Sequence, residues 1–173
     1  MIAMHRAHWS FLTGVLIFTC GCSTTEHPVA EPITRFNIER ISDEAGVLSV
    51  SEKEHPAKLL ETYERETTHQ LGVVTVENLA GESIEAYAVR KANSLDLGLK
   101  GIENGILIVV APNDRKARIE LRAGFTQYIS DARAQDIMDT QMIPAFRQQQ
   151  YAVGIERGLT LLMSDGRAFV VRC

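Results

Sequence analysis

The sequence predicts a three-layer α/β/α domain with a small mixed sheet. Apolar, β-branched runs at residues 71–76 and 105–111 are typical of buried strands. Stretches with apolar residues at helical spacing lie between and after these runs, and residues 115–121 alternate between apolar and polar. The resulting order is strand, helix, strand, helix, strand, strand, helix, helix, which favours a sheet covered on both faces.

The first helix has two candidate starts. Ser49 with Glu52 forms one capping box, and Ser51 with Glu54 offers a second. Pro56 follows closely, and a proline cannot lie deep in a helix without removing a hydrogen bond. We therefore expect the helix to begin near Pro56 or to kink there.

The remaining elements follow from local signals. Ser83 is expected to open the second helix, and residues 105–111 form the most apolar segment and the predicted central strand. Residues 112–114 are Pro, Asn and Asp, which are common in turns, so residues 105–111 and 115–121 are expected to form an antiparallel hairpin. Ser130 or Asp131 is expected to cap the third helix, which should stop near Pro144, and a last helix follows.

The N-terminal residues have the pattern of a secretory signal. Arg6 precedes an uncharged apolar stretch at residues 9–19, which is too short to span a membrane as a helix. The following Cys20-Gly21-Cys22 resembles a bacterial lipobox, with Cys22 the better candidate for acylation because Gly21 precedes it. Thr19 departs from the leucine that is usual in that motif.

This pattern predicts a lipoprotein signal peptide at residues 1–21 and a polar linker at residues 22–37 after a lipidated Cys22. The mature chain is expected to be exported and held to a membrane by acyl chains such as palmitate. The outer membrane or the periplasmic face is favoured, because Ser23 after the cysteine resembles sorting patterns that do not retain a lipoprotein at the inner membrane. The net charge of −4 excludes most nucleic-acid-binding modes, which require clustered cations.

Six blocks of sequence within residues 38–173 together resemble the TPM domain family, which is named for thylakoid, photosystem II and nematode receptor-modulator proteins. The blocks lie at residues 43–49, 70–76, 83–88, 103–111, 114–120 and 130–132. The resemblance implies a compact α/β/α fold, binding of divalent cations in some members and acid phosphatase activity in a plant member. Gln127 stands where the family often has an acid, which departs from the pattern.

The candidate metal ligands are aspartates next to predicted helices and turns. Asp43 precedes the first helix and Asp131 begins another, and carboxylate oxygens are the ligands that Ca²⁺ and Mg²⁺ prefer. Asp114 is a weaker candidate in the hairpin turn. The alternative is that Asp43 and Asp114 are turn residues and that Asp131 caps its helix.

Two further residues are candidates for ligand binding. Arg115 carries a planar guanidinium that suits an anionic ligand, and Asn104 precedes the central strand. Solvation of an edge strand and turn geometry explain these residues equally well. His55 and His69 show no metal-ligand spacing and are expected to be solvated.

Two functions remain open at this stage. The first is an envelope-anchored binding or scaffold module that docks a protein partner, with Ca²⁺ or Mg²⁺ as an optional ligand. The alternative is a metal-assisted phosphoric-ester hydrolase in which Asp43 and Asp131 hold the cation. The sequence lacks a serine-nucleophile elbow and a glycine-rich phosphate loop, which favours the binding module.

Overall fold

The computed structural model describes residues 40–170, with the side chains of the last helix described as far as Ala168. The predicted signal peptide, Cys22 and the linker lie outside the described residues. The strands are β1 (Ile41–Asp43), β2 (Gln70–Thr75), β3 (Gly105–Ala111) and β4 (Lys116–Leu121). The helices are α1 (Val50–Thr67), α2 (Ile84–Ser94), α3 (Asp131–Ile137), α4 (Ile143–Phe146) and α5 (Tyr151–Val170).

The four described strands form one mixed sheet in the order β1-β2-β3-β4. β1, β2 and β3 are parallel, and β4 is antiparallel to β3, which confirms the predicted hairpin. Every residue of β2 and β3 is buried, as expected for strands covered on both faces.

Alternate residues of the strands support two separate cores. On the first face, Val73 and Ile108 pack in one cluster with Leu60 of α1 and Leu159 of α5. On the second face, Val74, Leu107 and Val109 pack in another cluster with Ile84, Ala88 and Ala92 of α2. The helices therefore lie on both faces of the sheet, which confirms the predicted three-layer α/β/α class.

The two parallel connections have opposite hands. Both link neighbouring strands and advance in the same direction across the sheet, from β1 to β2 and from β2 to β3. The α1 connection passes over the first face and the α2 connection over the second. One of the two is therefore an exception to the strong preference for right-handed crossovers.

Helix α1 begins earlier than Pro56 and continues through it. Ser49 is the N-cap and forms the predicted capping box with Glu52, whose side chain reaches back to the Ser49 amide at 2.8 Å. Pro56 lies within the helix and its side chain is buried, so the capping box at Ser49, and not Pro56, marks the start of α1.

The helical segment that begins at Asp131 ends at Phe146, close to the expected stop near Pro144, but it is not one regular α-helix. α3 continues into a π-helical turn at Met138–Met142, in which the Ile143 amide bonds to the Met138 carbonyl five residues earlier, and then into α4. The wider turn places Pro144 at the start of α4, where its missing amide hydrogen costs little. Ser130, rather than Asp131, is the N-cap of α3.

Helix α5 closes the first face of the sheet. Its residues Ile155, Leu159 and Leu162 are buried against the core, and Arg167 pairs with Glu66 of α1 at 2.7 Å. Within residues 40–170, no helix has both the length and the apolar character that crossing a membrane requires.

Candidate functional site

A groove with a volume of about 970 Å³ lies between the β3–β4 hairpin and the α4–α5 segment. Its cationic side chains are Arg115 and Lys116 from the hairpin and Arg147 from the end of α4. We call it the basic groove after these three residues. Phe146 and Tyr151 also line it, with their ring centroids 5.7 Å apart.

The hairpin turn that carries Arg115 is held by its neighbours. The Asp114 carboxylate accepts a hydrogen bond from the Leu79 amide at 2.6 Å, and the Asn113 amide donates to the Glu77 carbonyl at 3.3 Å. Arg115 itself has a left-handed backbone with φ of 53°. Asp114 therefore ties the turn to the loop after β2 and positions the first cation of the groove.

Asp43 lies at the carboxyl end of β1, where the connections after β1 and β2 leave toward opposite faces of the sheet. Its carboxylate accepts hydrogen bonds from the amides of Val47 at 3.1 Å and Leu48 at 3.0 Å, and from the Thr75 hydroxyl. Burial acts to raise the pKa of this carboxyl, but the hydrogen bonds stabilise the charged form more, so the pKa lies below its usual value.

Removal of this carboxylate is expected to destabilise the domain. Asp43→Ala leaves two amides and the buried Thr75 hydroxyl without their acceptor, at an expected cost of about 2 kcal/mol in the free energy of unfolding. Because the pKa is lowered in the folded state, the cost should be full above the unfolded pKa and vanish as the pH falls through the folded one.

The measurement is urea denaturation at neutral pH with Ca²⁺, with Mg²⁺ and with chelator. Asp131→Ala is the matched control, and it should cost less than about 1 kcal/mol because Ser130 already caps α3. A loss in Asp43→Ala that appears only when Ca²⁺ or Mg²⁺ is present would contradict the structural role and indicate a metal ligand instead.

Asp131 is not brought together with Asp43. It is exposed beside β4, in a depression of about 270 Å³ that Glu85 and Arg118 also line, whereas Asp43 belongs to β1 at the other edge of the sheet. Three strand spacings separate the two edges, or roughly 14 Å.

Within residues 40–170 no group of three or more His, Cys, Asp or Glu side chains is placed to hold a metal ion. The donors as arranged do not fit a shared cation.

Asn104 and Arg115 lie at opposite ends of β3. Asn104 is buried, and its side-chain amide donates to the Thr68 carbonyl at 2.8 Å and accepts from the Leu99 amide at 2.9 Å. It joins the end of α1 to the loop after α2, so its polar atoms are already used within the fold. Of the two ligand candidates, only Arg115 lines the basic groove.

Arg147 and Tyr151 are groove residues that the sequence reasoning did not identify. They follow Pro144 in a segment expected to be the end of one helix and the start of the next. The available signal was the polar run at residues 147–150 between two apolar helices, which predicts a surface loop. Nothing in that run indicates which strand the loop faces.

His69 is buried, so the expectation that it is solvated is wrong. It is 2% exposed, and its Nδ1 lies 3.1 Å from the Tyr63 hydroxyl. Its ring also contacts Phe125 at 4.8 Å and Tyr128 at 4.5 Å between centroids. The aromatic residues that surround it come from α1 and from the segment after β4, so neighbouring polar residues in sequence do not reveal its burial.

Burial lowers the pKa of His69, which predicts acid-sensitive stability. The unfolded chain takes up a proton near the ordinary pKa of 6.5 while the folded domain resists it. Stability should therefore fall as the pH drops from 6.5 toward the lowered pKa, by at most about 1.4 kcal/mol per pH unit. Urea midpoints across this range measure it. His69→Gln should make the stability less dependent on pH, whereas substitution of the exposed His55 by Gln should leave the pH dependence unchanged. If His55→Gln removes the pH dependence and His69→Gln does not, His69 is not the group responsible.

The sequence profile of the TPM domain matches residues 41–165. No curated protein matches the chain. The solution NMR structure of the N-terminal domain of a P. gingivalis protein is similar, at 27% identity and a TM-score of 0.68, over 73% of this chain and 81% of that one.

Two other NMR structures share the fold at lower identity. The N-terminal domain of the cg2496 protein from Corynebacterium glutamicum is 19% identical, with a TM-score of 0.58 over 77% of this chain and 81% of that one. The BA42 protein from the psychrophilic bacterium Bizionia argentinensis is 21% identical, with a TM-score of 0.59 over 70% of this chain and 83% of that one.

Proposed function

Because the chain belongs to the TPM domain family, we propose that it acts as a binding module of the cell envelope, held to a membrane through lipid on Cys22. The observation that carries the binding role is the basic groove. It combines exposed cations with a half-buried aromatic wall on two anchored segments. Exposed cations beside aromatic side chains suit a ligand that has both anionic and apolar groups.

A metal-assisted phosphatase is the second candidate, and the name of the matching profile, TPM phosphatase, favours it. Such an enzyme needs free carboxylates that converge on a cation. Asp43 and Asp114 instead accept hydrogen bonds from backbone amides, and Asp131 lies at the other edge of the sheet. Turnover of a phosphate ester that requires Ca²⁺ or Mg²⁺ and disappears in Asp43→Ala would make this the correct function.

The binding role is tested by photo-crosslinking in living cells. A photoreactive residue at Asn113, in the basic groove, is expected to give a discrete crosslink to an envelope protein. The same residue at Lys58, which is exposed on α1 away from the groove, serves as the matched control and should give none. If neither Asn113 nor Lys58 gives a crosslink, the binding function is refuted.

The membrane anchor is tested by fractionation. Cys22→Ala should move the chain from the membrane pellet to the soluble fraction and abolish incorporation of labelled palmitate, because the acyl chains supply the membrane affinity. Cys20→Ala is the control and should still pellet, since Cys20 would leave with the signal peptide. A Cys22→Ala variant that still pellets and incorporates label would rule out this anchor.

A further inference from the structure

We propose that the basic groove binds an acidic segment of a protein partner, in which carboxylates alternate with apolar side chains. This inference rests on the proposed binding function and names the chemistry of the partner. Three features support this inference: the positive charge of the groove, the apolar side chains in its wall, and the hydrogen bonds that hold its two sides in place.

The groove concentrates cations that lack partners. Most arginines of the described residues form ion pairs, such as Arg90 with Glu82 and Arg133 with Asp165. Within residues 40–170, the arginines whose side chains form neither an ion pair nor a hydrogen bond are Arg115, Arg147 and Arg157. Two of these three line the basic groove. An arginine presents a rigid fork of donors that matches a carboxylate, so these two are available for one.

The local charge of the groove is opposite to that of the chain. Lys116 adds a third cation, and among its lining residues Asp139 alone is acidic. One oxygen of Asp139 already accepts a hydrogen bond from Gln135 at 3.0 Å. The whole chain carries a net charge of −4, so a positive groove on it gives an acidic partner a defined place to dock.

The apolar wall distinguishes a peptide from a bare anion. Ile143, Phe146 and Tyr151 are half-buried and line the same groove as the three cations. Tyrosine and arginine are among the residues most enriched at the positions that contribute most of the binding energy in protein interfaces. A small ion would use the cations alone, whereas an acidic peptide with apolar side chains would use both parts.

Both sides of the groove are fixed before a ligand arrives. The hairpin is tied by the Asp114 carboxylate to Leu79, as described above. The α4–α5 loop is closed by two hydrogen bonds to the Ala145 carbonyl, from the amides of Gln148 at 2.9 Å and Gln150 at 3.0 Å. A site held in this way avoids part of the ordering cost of binding.

The test is fluorescence anisotropy with the full chain in a nonionic detergent and a labelled octapeptide that alternates glutamate with leucine. We expect binding at low ionic strength that weakens as salt is added. A matched peptide with glutamine in place of glutamate should bind at least about tenfold more weakly, because the charge-assisted hydrogen bonds are lost. Equal affinity for the two peptides would overturn the proposal.

Variants locate the site. Arg115→Gln and Arg147→Gln should each weaken binding about tenfold, since each removes one charged hydrogen-bond partner of the peptide. Arg157→Gln removes the remaining unpaired arginine, which is exposed on α5 outside the groove, and should leave affinity within about twofold. If Arg157→Gln weakens binding as much as Arg115→Gln, the attraction is non-specific and the groove is not the site.

Two competitors decide the class of ligand. If inorganic phosphate or phosphatidylglycerol vesicles bind more tightly than the glutamate peptide, with the same dependence on Arg115 and Arg147, the ligand is a small anion or a lipid surface and the proposal fails. Crosslinks from Asn113 that persist in the Arg115→Gln/Arg147→Gln double variant would overturn the groove assignment while the binding function stands. Loss of those crosslinks in the double variant would support both.

Discussion

Gly124→Ala is expected to lower the free energy of unfolding by about 3 kcal/mol or more, which corresponds to about 10 °C in the thermal midpoint. A Cβ at this position would lie 1.7 Å from the Ile102 carbonyl oxygen and 2.9 Å from its carbon. Both atoms belong to the backbone, so no side-chain rotation relieves the clash. The segment after β4 or the loop before β3 must therefore move.

Gly72→Ala is the matched control for this prediction, because it adds the same methyl group to a buried glycine. Its Cβ would meet the Leu107 side chain at 3.5 Å, which is ordinary van der Waals contact. We expect a change of less than about 1 kcal/mol. Calorimetry of the two variants measures the difference, and equal thermal midpoints would show that the segment at Gly124 does not pack against Ile102.

Phe125→Ala should cost about 3–5 kcal/mol in the free energy of unfolding, as is usual for a buried phenylalanine. Its side chain is fully buried, and its ring contacts His69 at 4.8 Å and Tyr128 at 5.3 Å between centroids. It also lies under α5, since a Cβ on Gly166 would be 3.3 Å from its ring. Removal of the ring opens a cavity between the sheet and α5.

The measurement is urea denaturation, with Phe146→Ala as the control. Phe146 is only half-buried at the wall of the basic groove, so its truncation leaves less of a cavity and should cost clearly less. A loss below about 1 kcal/mol for Phe125→Ala would mean that the residue does not belong to the core.

The fold was predictable because it depends on patterns that are local in sequence. The buried run of β3, the alternation of β4 and the caps Ser49 and Ser83 each indicate their element without knowledge of the rest. The family resemblance is confirmed for the same reason, since its blocks coincide with these elements. The π-helical turn before Pro144 was not predicted, because such a turn depends on packing rather than on a local residue pattern.

The candidate site was only partly predictable. Arg115 stands out because it follows turn residues, but its relation to Arg147 arises only when α4 packs beside the hairpin. Asp43 and Asp131 appear equivalent in sequence, each next to a helix start. The structure separates them by the width of the sheet, and sheet order is a long-range property that helix caps do not reveal.

The strand order has a consequence for synthesis of the chain. Each described strand after β1 pairs with the strand that precedes it in sequence, so β2, β3 and β4 leave the ribosome when their partners are already made. Such short-range pairing shortens the loops that must close and favours rapid folding. The first face of the sheet, however, is only partly covered until α5 is complete, because Leu159 and Leu162 pack in the same core as Leu60 of α1. A ribosome that stalls before α5 would therefore leave a nascent domain whose strands are paired but whose first face still exposes part of its apolar surface, which chaperones can bind.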